Sequence, residues 1–224
     1  NQFIKIGLTI QNILGELSTG RKTFFNTMGH AEYRNRSRNQ QWDIAASGKL
    51  FFTGFNAGDF DAHFSLQRLL GKKLGYLQLG FENASRQPSF LFDSRSSFYL
   101  MKSAVNLKKE NNTHLFATYF LPSFKLRISG HYYLITNYTY FTSYYKVNQE
   151  NSLFNLLQIA IHKTIKLGKR WNWHADIWFQ QKIGNVALNV PVIYTRNRIG
   201  YEGKKKKKNL DIAIGTEIKY RAAY

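Results

Sequence analysis

The sequence predicts an all-β fold, an antiparallel meandering transmembrane β-barrel with about eleven visible strands. Apolar and polar side chains alternate in most segments, which puts them on opposite faces of a sheet. No uncharged apolar run reaches the roughly 18 residues of a spanning helix, whereas a barrel strand needs only about 9 to 11 residues, half of them polar. Short basic turns also alternate with longer connections, as in outer-membrane barrels.

The alternation is clearest over residues 157–179. The apolar parity carries Leu157, Ile159, Ile161 and Ile165 and, after a basic turn at 167–170, Trp171, Trp173, Ala175, Ile177 and Phe179. A water-soluble sandwich can show the same pattern. The large number of successive hairpin-connected strands, with no signal for a Greek-key crossover, favours the membrane.

The first half of the chain contains five predicted strands, at residues 3–12, 23–34, 41–53, 59–70 and 74–84. A tight turn at Asn56-Ala57-Gly58-Asp59 joins the third and fourth strands, because glycine adopts a positive φ at little cost. A predicted turn at Gly71-Lys72-Lys73 leads into the fifth strand. Residues 85–96 form a loop around Pro88.

The second half begins with a predicted strand at 97–107 that turns at Glu110-Asn111-Asn112. The long run 114–137 changes its apolar parity near Pro122, and proline cannot donate to a ladder, so we expect a bulge or break there. The remaining predicted strands are 157–166, 171–180, 187–201 and 209–224, with longer connections at 138–152 and 181–187.

The chain is strongly basic, with 32 Lys and Arg against 13 Asp and Glu and a net charge of +19. These cations are scattered through the segments and densest at the turns, whereas a nucleic-acid binder more often gathers them on one face. No nucleic-acid partner is therefore expected. The Lys204 to Lys208 run is predicted to be a solvated hairpin turn, able to reach lipid phosphates if it lies at the bilayer rim.

Polar side chains on the polar parity of the strands are predicted to line a lumen, through charge and hydrogen bonding alone. They are Asp43, Lys49, Asp61, His63, Gln67, Gln78, Glu82, Lys125, Arg127, His131, His162, Lys166, Asn172, His174, Asp176, Gln180, Asp211, Glu217, Lys219 and Arg221. Two interpretations stay open. The basic groups form an anion-preferring path, or the charged pairs build stabilising networks that occlude the pore.

Tyr and Trp residues crowd the strand ends, which is typical of the aromatic belt at a membrane interface. The predicted belt comprises Trp42, Tyr132, Tyr138, Trp171, Trp173, Tyr194 and Tyr220. The alternative is that aromatic residues simply favour strands.

No motif for catalysis or metal binding is found. The six histidines have no ligand spacing along one strand, no Gly-x-Ser-x-Gly elbow occurs, and neither Gly168 nor Gly203 has the glycine spacing of a phosphate loop. We therefore expect no enzyme, no metal and no cofactor, and interpret the histidines as polar lining.

Residues 1–224 are expected to form a single, partial outer-membrane barrel domain. The chain begins and stops inside strand-like runs and lacks an initiator Met, so we interpret it as a fragment of a longer chain. An odd count of eleven strands agrees with a barrel that missing segments complete, because bacterial single-chain barrels use even numbers.

Several short motifs carry a family resemblance. They are Gln87-Pro88 with Phe90 and Phe92, Asn137-Tyr138-Thr139-Tyr140-Phe141, Leu156-Leu157-Gln158, Lys163 to Gly168, Gln180-Gln181, Val190-Pro191, Gly215 with Tyr220 to Tyr224, and the 56–59 turn. In these features the chain resembles the putative porin family of outer-membrane proteins from the Bacteroidetes. The resemblance implies a β-barrel in the bacterial outer membrane with no catalytic residues and no particular solute. Family members are longer than this chain.

The expected function is a porin-like channel for passive diffusion of small hydrophilic solutes with a bias toward anions. The expected partners are outer-membrane lipid and lipopolysaccharide, small solutes and other envelope proteins. Two alternatives remain, a plugged scaffolding barrel in a larger cell-envelope complex and a soluble basic β-protein that binds polyanions.

Overall fold

The computed structural model describes residues 2–17, 20–39, 41–94, 106–143, 146–184, 186–204 and 211–223. Apart from two short 3₁₀ turns, the regular structure in these ranges is strand. The strands are β1 (Gln2–Leu17), β2 (Gly20–Arg36), β3 (Trp42–Gly54), β4 (Phe60–Gly71), β5 (Gly75–Arg86), β6 (Glu110–Leu121), β7 (Leu126–Thr136), β8 (Tyr138–Ser143), β9 (Lys146–Glu150), β10 (Phe154–Lys166), β11 (Trp171–Ile183), β12 (Ile193–Lys204) and β13 (Asp211–Arg221).

Eleven of these strands form one antiparallel sheet, in the order β1-β2-β3-β4-β5-β6-β7-β10-β11-β12-β13. Each strand pairs with the next along the chain, except that the β8–β9 hairpin is inserted between β7 and β10. The predicted all-β antiparallel meander is therefore confirmed, and the arrangement is consistent with a barrel wall.

Within the described ranges, no helix has the length and apolarity needed to cross a membrane.

The register gives the sheet two chemically distinct faces. Residues that pair across a ladder have their side chains on the same face of the sheet. Pairs such as Lys49 with Asp61 and His162 with Asp176 therefore lie on one continuous polar face. The opposite, apolar face exposes large hydrophobic side chains from each of the eleven strands, among them Ile6, Phe25, Leu50, Phe64, Leu79, Leu115, Ile128, Ile159, Ile177, Ile199 and Ile218.

The meander also gives the sheet two different ends. At the short-turn end, the described connections are residues 37–41, without Gln40, and 72–74, 122–125 and 167–170. At the long-connection end, the strands are joined through 18–19, 55–59, 87–109, 137–153 and 184–192, of which the structure describes a part. The connections 87–109, 137–153 and 184–192 are longer than the described turns at the other end, which agrees with the predicted pattern.

The strand count agrees with the sequence prediction, but the strands differ. Of the predicted strand 97–107, residues 97–105 lie outside the described ranges and 106–107 are not strand. The turn predicted at Glu110-Asn111-Asn112 is wrong, because these residues open β6 and pair with Arg86, Ser85 and Ala84 of β5. Asparagine is common in turns, but here three antiparallel pairings outweigh that preference.

The expected break at Pro122 is confirmed. Pro122–Phe124 forms a 3₁₀ turn that divides the long run into β6 and β7. Lys125 then adopts the left-handed conformation, with φ 47°. The run predicted as one strand is therefore two strands, and the total stays at eleven although no strand is described at 97–107.

Two connections differ from the sequence prediction. The 138–152 connection contains the β8–β9 hairpin, whose strands are short and pair only with each other. The strand predicted from residue 187 begins instead at Ile193. Pro191 cannot donate a ladder hydrogen bond, and the Lys182 ammonium donates to the carbonyls of Val186 and Leu188, which fixes that segment as a loop.

The outermost strands, β1 and β13, each pair with one neighbour in the described sheet. Their apolar-face side chains are the most exposed in the sheet, at 82% for Ile6, 77% for Leu8 and 70% for both Ile214 and Ile218. The structure therefore has two open sheet edges.

Candidate functional site

The polar face contains the residues predicted to line a lumen, and the ladder shows how they are arranged. All of them occupy polar-face positions on strands except Lys125, which lies in the turn before β7. Asp211 is opposite Lys204 in the ladder, and its side chain lies outside the described part of the structure. Whether this face encloses water remains a prediction.

A hydrogen-bonded chain of three imidazoles and one carboxylate crosses four adjacent strands of this face. His63 Nδ1 on β4 lies 2.9 Å from Glu82 Oε1 on β5, and His114 Nδ1 on β6 lies 3.0 Å from Glu82 Oε2. His114 Nε2 is 2.9 Å from Nδ1 of His131 on β7. We call these four residues the histidine chain.

The contacts of the histidine chain define one proton arrangement when its imidazoles are neutral. A carboxylate only accepts hydrogen bonds, so the Nδ1 atoms of His63 and His114 both carry a proton and donate to Glu82. His114 Nε2 is then unprotonated and must accept from His131 Nδ1–H. All three rings are therefore Nδ1–H tautomers.

Sequence reasoning missed this chain because it searched for ligand spacing along single strands. His114 was not among the predicted lumen residues, yet it is the central member of the chain. The register opposes His63 to Glu82 and Glu82 to His114, and sets His131 opposite Phe116, two residues along β6 from His114. The proximity of these four residues therefore follows from the strand pairing and cannot be read from spacing along one strand. The described residues contain no group of three or more His, Cys, Asp or Glu arranged to hold a metal ion.

Rings stack around the histidine chain and fix its orientation. The His114 ring lies parallel to Tyr133, with centroids 4.2 Å apart and planes 5° apart. Phe116 stacks against His63, His114 and His131 at centroid distances of 5.2 to 6.2 Å. These ring contacts limit rotation of the imidazoles, so their hydrogen bonds are held in place.

A second polar network joins β10, β11 and β12 around Asp176. The Asp176 side chain is only 8% exposed, and its Oδ1 lies 2.9 Å from His162 Nδ1. Arg196 donates from Nε and a terminal nitrogen to Asp176 Oδ2 at 3.0 and 2.8 Å. Arg196, which the sequence prediction missed, thus anchors the carboxylate from the third strand.

Basic side chains dominate the polar face beyond this network. Lys219 Nζ lies 2.9 Å from Glu217 Oε1, while Arg198 is 3.8 Å from the other oxygen of that carboxylate. Among the side chains that the structure describes, the polar-face cations of the wall from β7 to β13 are Arg127, Lys166, Lys182, Arg196, Arg198, Lys219 and Arg221, and the carboxylates are Asp176 and Glu217. We call this part the basic wall.

One region in the other half of the polar face has the opposite balance. A cavity of about 860 Å³ spans β2 to β6, lined by the carboxylates of Glu32, Asp61, Glu82 and Glu110, the cations Lys49 and Arg86, and the imidazoles of His30, His63 and His114. Several of these charges are paired: Lys49 Nζ lies 3.0 Å from Asp61 Oδ2, and Arg86 Nε donates to Asp61 Oδ1 at 2.9 Å. The net positive charge of the chain is therefore not spread evenly over the face.

A buried polar cluster holds the 55–59 connection at the long-connection end. Asn26 is fully buried, and its Oδ1 accepts from the backbone N–H of Asn56 at 2.9 Å. Asp59, 3% exposed, accepts from the Gln87 backbone N–H at 3.0 Å and pairs with the Lys109 ammonium at 2.9 Å. These contacts tie the bases of two connections together.

Gly54 allows the tight entry into this turn. It has φ 101°, and an added Cβ would meet the Phe25 carbonyl oxygen, which already accepts from the Phe55 N–H. The turn therefore needs glycine at this position.

Aromatic side chains gather on the polar-face side of the long-connection end. Phe24 of β2, Phe55 and Phe90 form a triangle with ring centroids 5.3 to 5.9 Å apart. Phe92 packs on Phe141 of β8 at 4.8 Å. The 87–94 segment therefore contacts both the sheet and the hairpin.

Polar contacts hold the β8–β9 hairpin on the same side. The Thr139 backbone N–H donates to Glu110 Oε1 at 2.8 Å, and Gln149 exchanges two hydrogen bonds with the backbone of Lys108 at 2.9 and 2.8 Å. The Tyr138 ring packs edge-on against Phe154. Burial raises the pKa of the Tyr138 phenol, and the Glu110 carboxylate adds to the rise.

The predicted belt aromatics occupy several different environments. Trp42, Trp171 and Trp173 lie on the apolar face at the short-turn end, and Tyr220 lies on that face at the opposite end. Trp171 packs against Tyr201 with centroids 5.6 Å apart. Tyr132 lies in the middle of β7, Tyr138 is in the hairpin, and Tyr194 is on the polar face. The belt prediction therefore depends on the four apolar-face residues at the strand ends, Trp42, Trp171, Trp173 and Tyr220.

Comparison with known proteins gave one family. A family model described as "Putative porin" matches residues 8–224. No curated protein and no solved structure matches the chain.

Proposed function

Because the chain belongs to the putative porin family, we propose that it forms the wall of an outer-membrane channel for passive diffusion of small hydrophilic, preferentially anionic, solutes. Residues 1–224 would then act as one barrel domain, without catalysis, and its surroundings would be outer-membrane lipid and lipopolysaccharide. The solute would pass along the polar face.

The apolar face is the observation that carries this proposal. Each strand of the sheet exposes large hydrophobic side chains on that face, up to 82% for Ile6. Soluble monomers rarely expose a continuous apolar patch larger than a few hundred Å². Contact with lipid accounts for such a face, and it leaves the charged face toward the interior.

The basic wall supports the preference for anions. Its cations outnumber its described carboxylates, and rings of basic groups favour anion passage. The carboxylate-rich cavity on β2 to β6 would oppose that preference locally. Net selectivity would therefore depend on cations such as Arg127 and Lys166, which take no part in the described ion pairs of the basic wall.

Planar-bilayer recording with a reversal potential in a salt gradient tests the proposal. We expect discrete current steps with anion preference. Arg127→Glu combined with Lys166→Glu should move the reversal potential toward cations, since both side chains are on the polar face.

Lys163→Glu is the matched control, because Lys163 occupies the opposite parity of β10 between these strands and packs its ammonium 5.2 Å from the Phe124 ring centroid. It should leave the reversal potential nearly unchanged. An equal shift from Lys163→Glu, or none from the double variant, would contradict the lumen-lining assignment.

A plugged scaffolding barrel is the second candidate, favoured by the packing of two connections on the polar-face side. The hairpin and the 87–94 segment lie against polar-face residues such as Phe24, Glu110 and Phe154. A correctly inserted barrel that stays silent in the bilayer would favour this function and direct the search to envelope-protein partners.

A further inference from the structure

The turns of the short-turn end carry an unbalanced positive charge. Their described residues include the exposed cations Arg38, Lys72, Lys73, Lys125, Lys169 and Arg170, and these turns contain no Asp or Glu. At the long-connection end the described connections carry both signs, with Lys108, Lys109 and Lys146 against Asp59, Asp93 and Glu150. The two ends therefore differ in charge.

These turn cations also differ in their partners from several cations of the polar face. On the face, Lys49, Arg86 and Arg196 each pair with a carboxylate within about 3 Å. Within the described residues, no carboxylate lies within 4.0 Å of the six turn cations, and Arg170 donates a hydrogen bond to the Tyr201 hydroxyl at 2.8 Å. Their charge is thus available to an external anion.

Exposed apolar side chains stand in the same turns. Leu74 is 56% exposed, Phe124 is 61% exposed and Leu167 is 54% exposed. Trp42 and Trp171, on the apolar face, begin the strands that leave two of these turns. Cations beside apolar and aromatic side chains match the boundary of a bilayer, where the apolar groups enter the acyl region and the cations reach phosphates.

We propose that the short-turn end is a docking surface for the phosphate headgroups of anionic glycerophospholipids. Short turns of outer-membrane barrels face the periplasm, so this surface meets the periplasmic leaflet. This inference rests on the proposed membrane function. It adds to that function a class of lipid and an orientation of the sheet in the membrane.

Two variants with matched substitutions test the surface in the purified protein. Lys72→Gln, Lys73→Gln and Lys169→Gln remove three charges from the short-turn end, while Lys22→Gln, Lys108→Gln and Lys146→Gln remove three exposed charges from the other end. Native mass spectrometry would measure binding of phosphatidylglycerol, phosphatidylcholine and lipid A, and heat-modifiable gel mobility would verify folding.

We expect the first variant to lose roughly tenfold or more in affinity for phosphatidylglycerol and the second to keep it within about twofold. Equal losses in both variants, or tighter binding of lipid A that the first variant abolishes, would overturn the inference. Bilayer conductance of the same preparations separates the two proposals. Open channels without a preference for phosphatidylglycerol overturn the docking surface alone, and silent barrels that keep the preference overturn the channel alone.

Discussion

At the scale of single residues, Glu82 determines the proton positions of the histidine chain. It holds His63 and His114 in the Nδ1–H form through its two oxygens, and His114 passes that constraint to His131. Isolated imidazoles in water exchange freely between tautomers, so a fixed Nδ1–H form needs a partner of this kind.

Glu82→Gln should release that constraint, because an amide can offer a donor as well as an acceptor. We expect ¹⁵N NMR at pH 7.5 to show Nδ1–H tautomers for the three histidines of the chain, and mixed tautomers for His63 and His114 in the variant. His174, which lies outside the chain, is the internal control and should not change. Free tautomer exchange already in the unmodified protein would rule out the hydrogen-bonded chain.

The identity of most polar-face residues could be predicted from the sequence, but their contacts could not. The alternation of side chains predicts that Asp176 and His162 lie on the polar face, because the side-chain period of a strand is two. The pairing of Asp176 with Arg196, or of Glu82 with His114, depends on which residue of the next strand lies opposite. Register is set by turn lengths and by irregularities such as the shift at Thr27/Met28, which composition does not reveal.

At the scale of elements, the β8–β9 hairpin packs on the polar-face side of the long-connection end, where it bears on the proposed channel. Its alternation is too short to distinguish from an irregular loop, so the sequence prediction left 138–152 without strands. Gln149 and Thr139 hold it to the segment that opens β6. The hairpin should therefore narrow the long-connection end.

Replacing residues 139–149 by a short Gly-Ser turn should widen the opening, with single-channel conductance rising roughly twofold or more. Gln149→Ala, which removes the contacts to Lys108 but keeps the hairpin, is the comparison and should change conductance much less. An unchanged conductance after the replacement would place the hairpin outside the path of the ions.

At the scale of the whole molecule, the two edge strands run in the same direction. β1 and β13 both start at the short-turn end and finish at the long-connection end. Direct pairing between them would be parallel in an otherwise antiparallel sheet, so we expect them not to be neighbours in the assembled barrel.

The chain has no cysteine, which makes this expectation easy to test by crosslinking. Leu8→Cys paired in turn with Ile214→Cys, Thr216→Cys or Ile218→Cys should form no disulfide under oxidation, because one intervening strand already separates the Cα atoms by about 9.6 Å. Ile199→Cys with Thr216→Cys, opposite each other on β12 and β13, is the positive control. A disulfide between β1 and β13 would demonstrate parallel closure.

The shared direction of the two edges has a consequence for counting. A strand that pairs antiparallel with β13 runs the opposite way, and the strand after it runs like β1 again. Any set of strands that bridges the two edges with antiparallel pairing throughout must therefore contain an odd number of members. Added to the eleven strands of the described sheet, an odd number gives an even total, which is the rule for bacterial single-chain barrels.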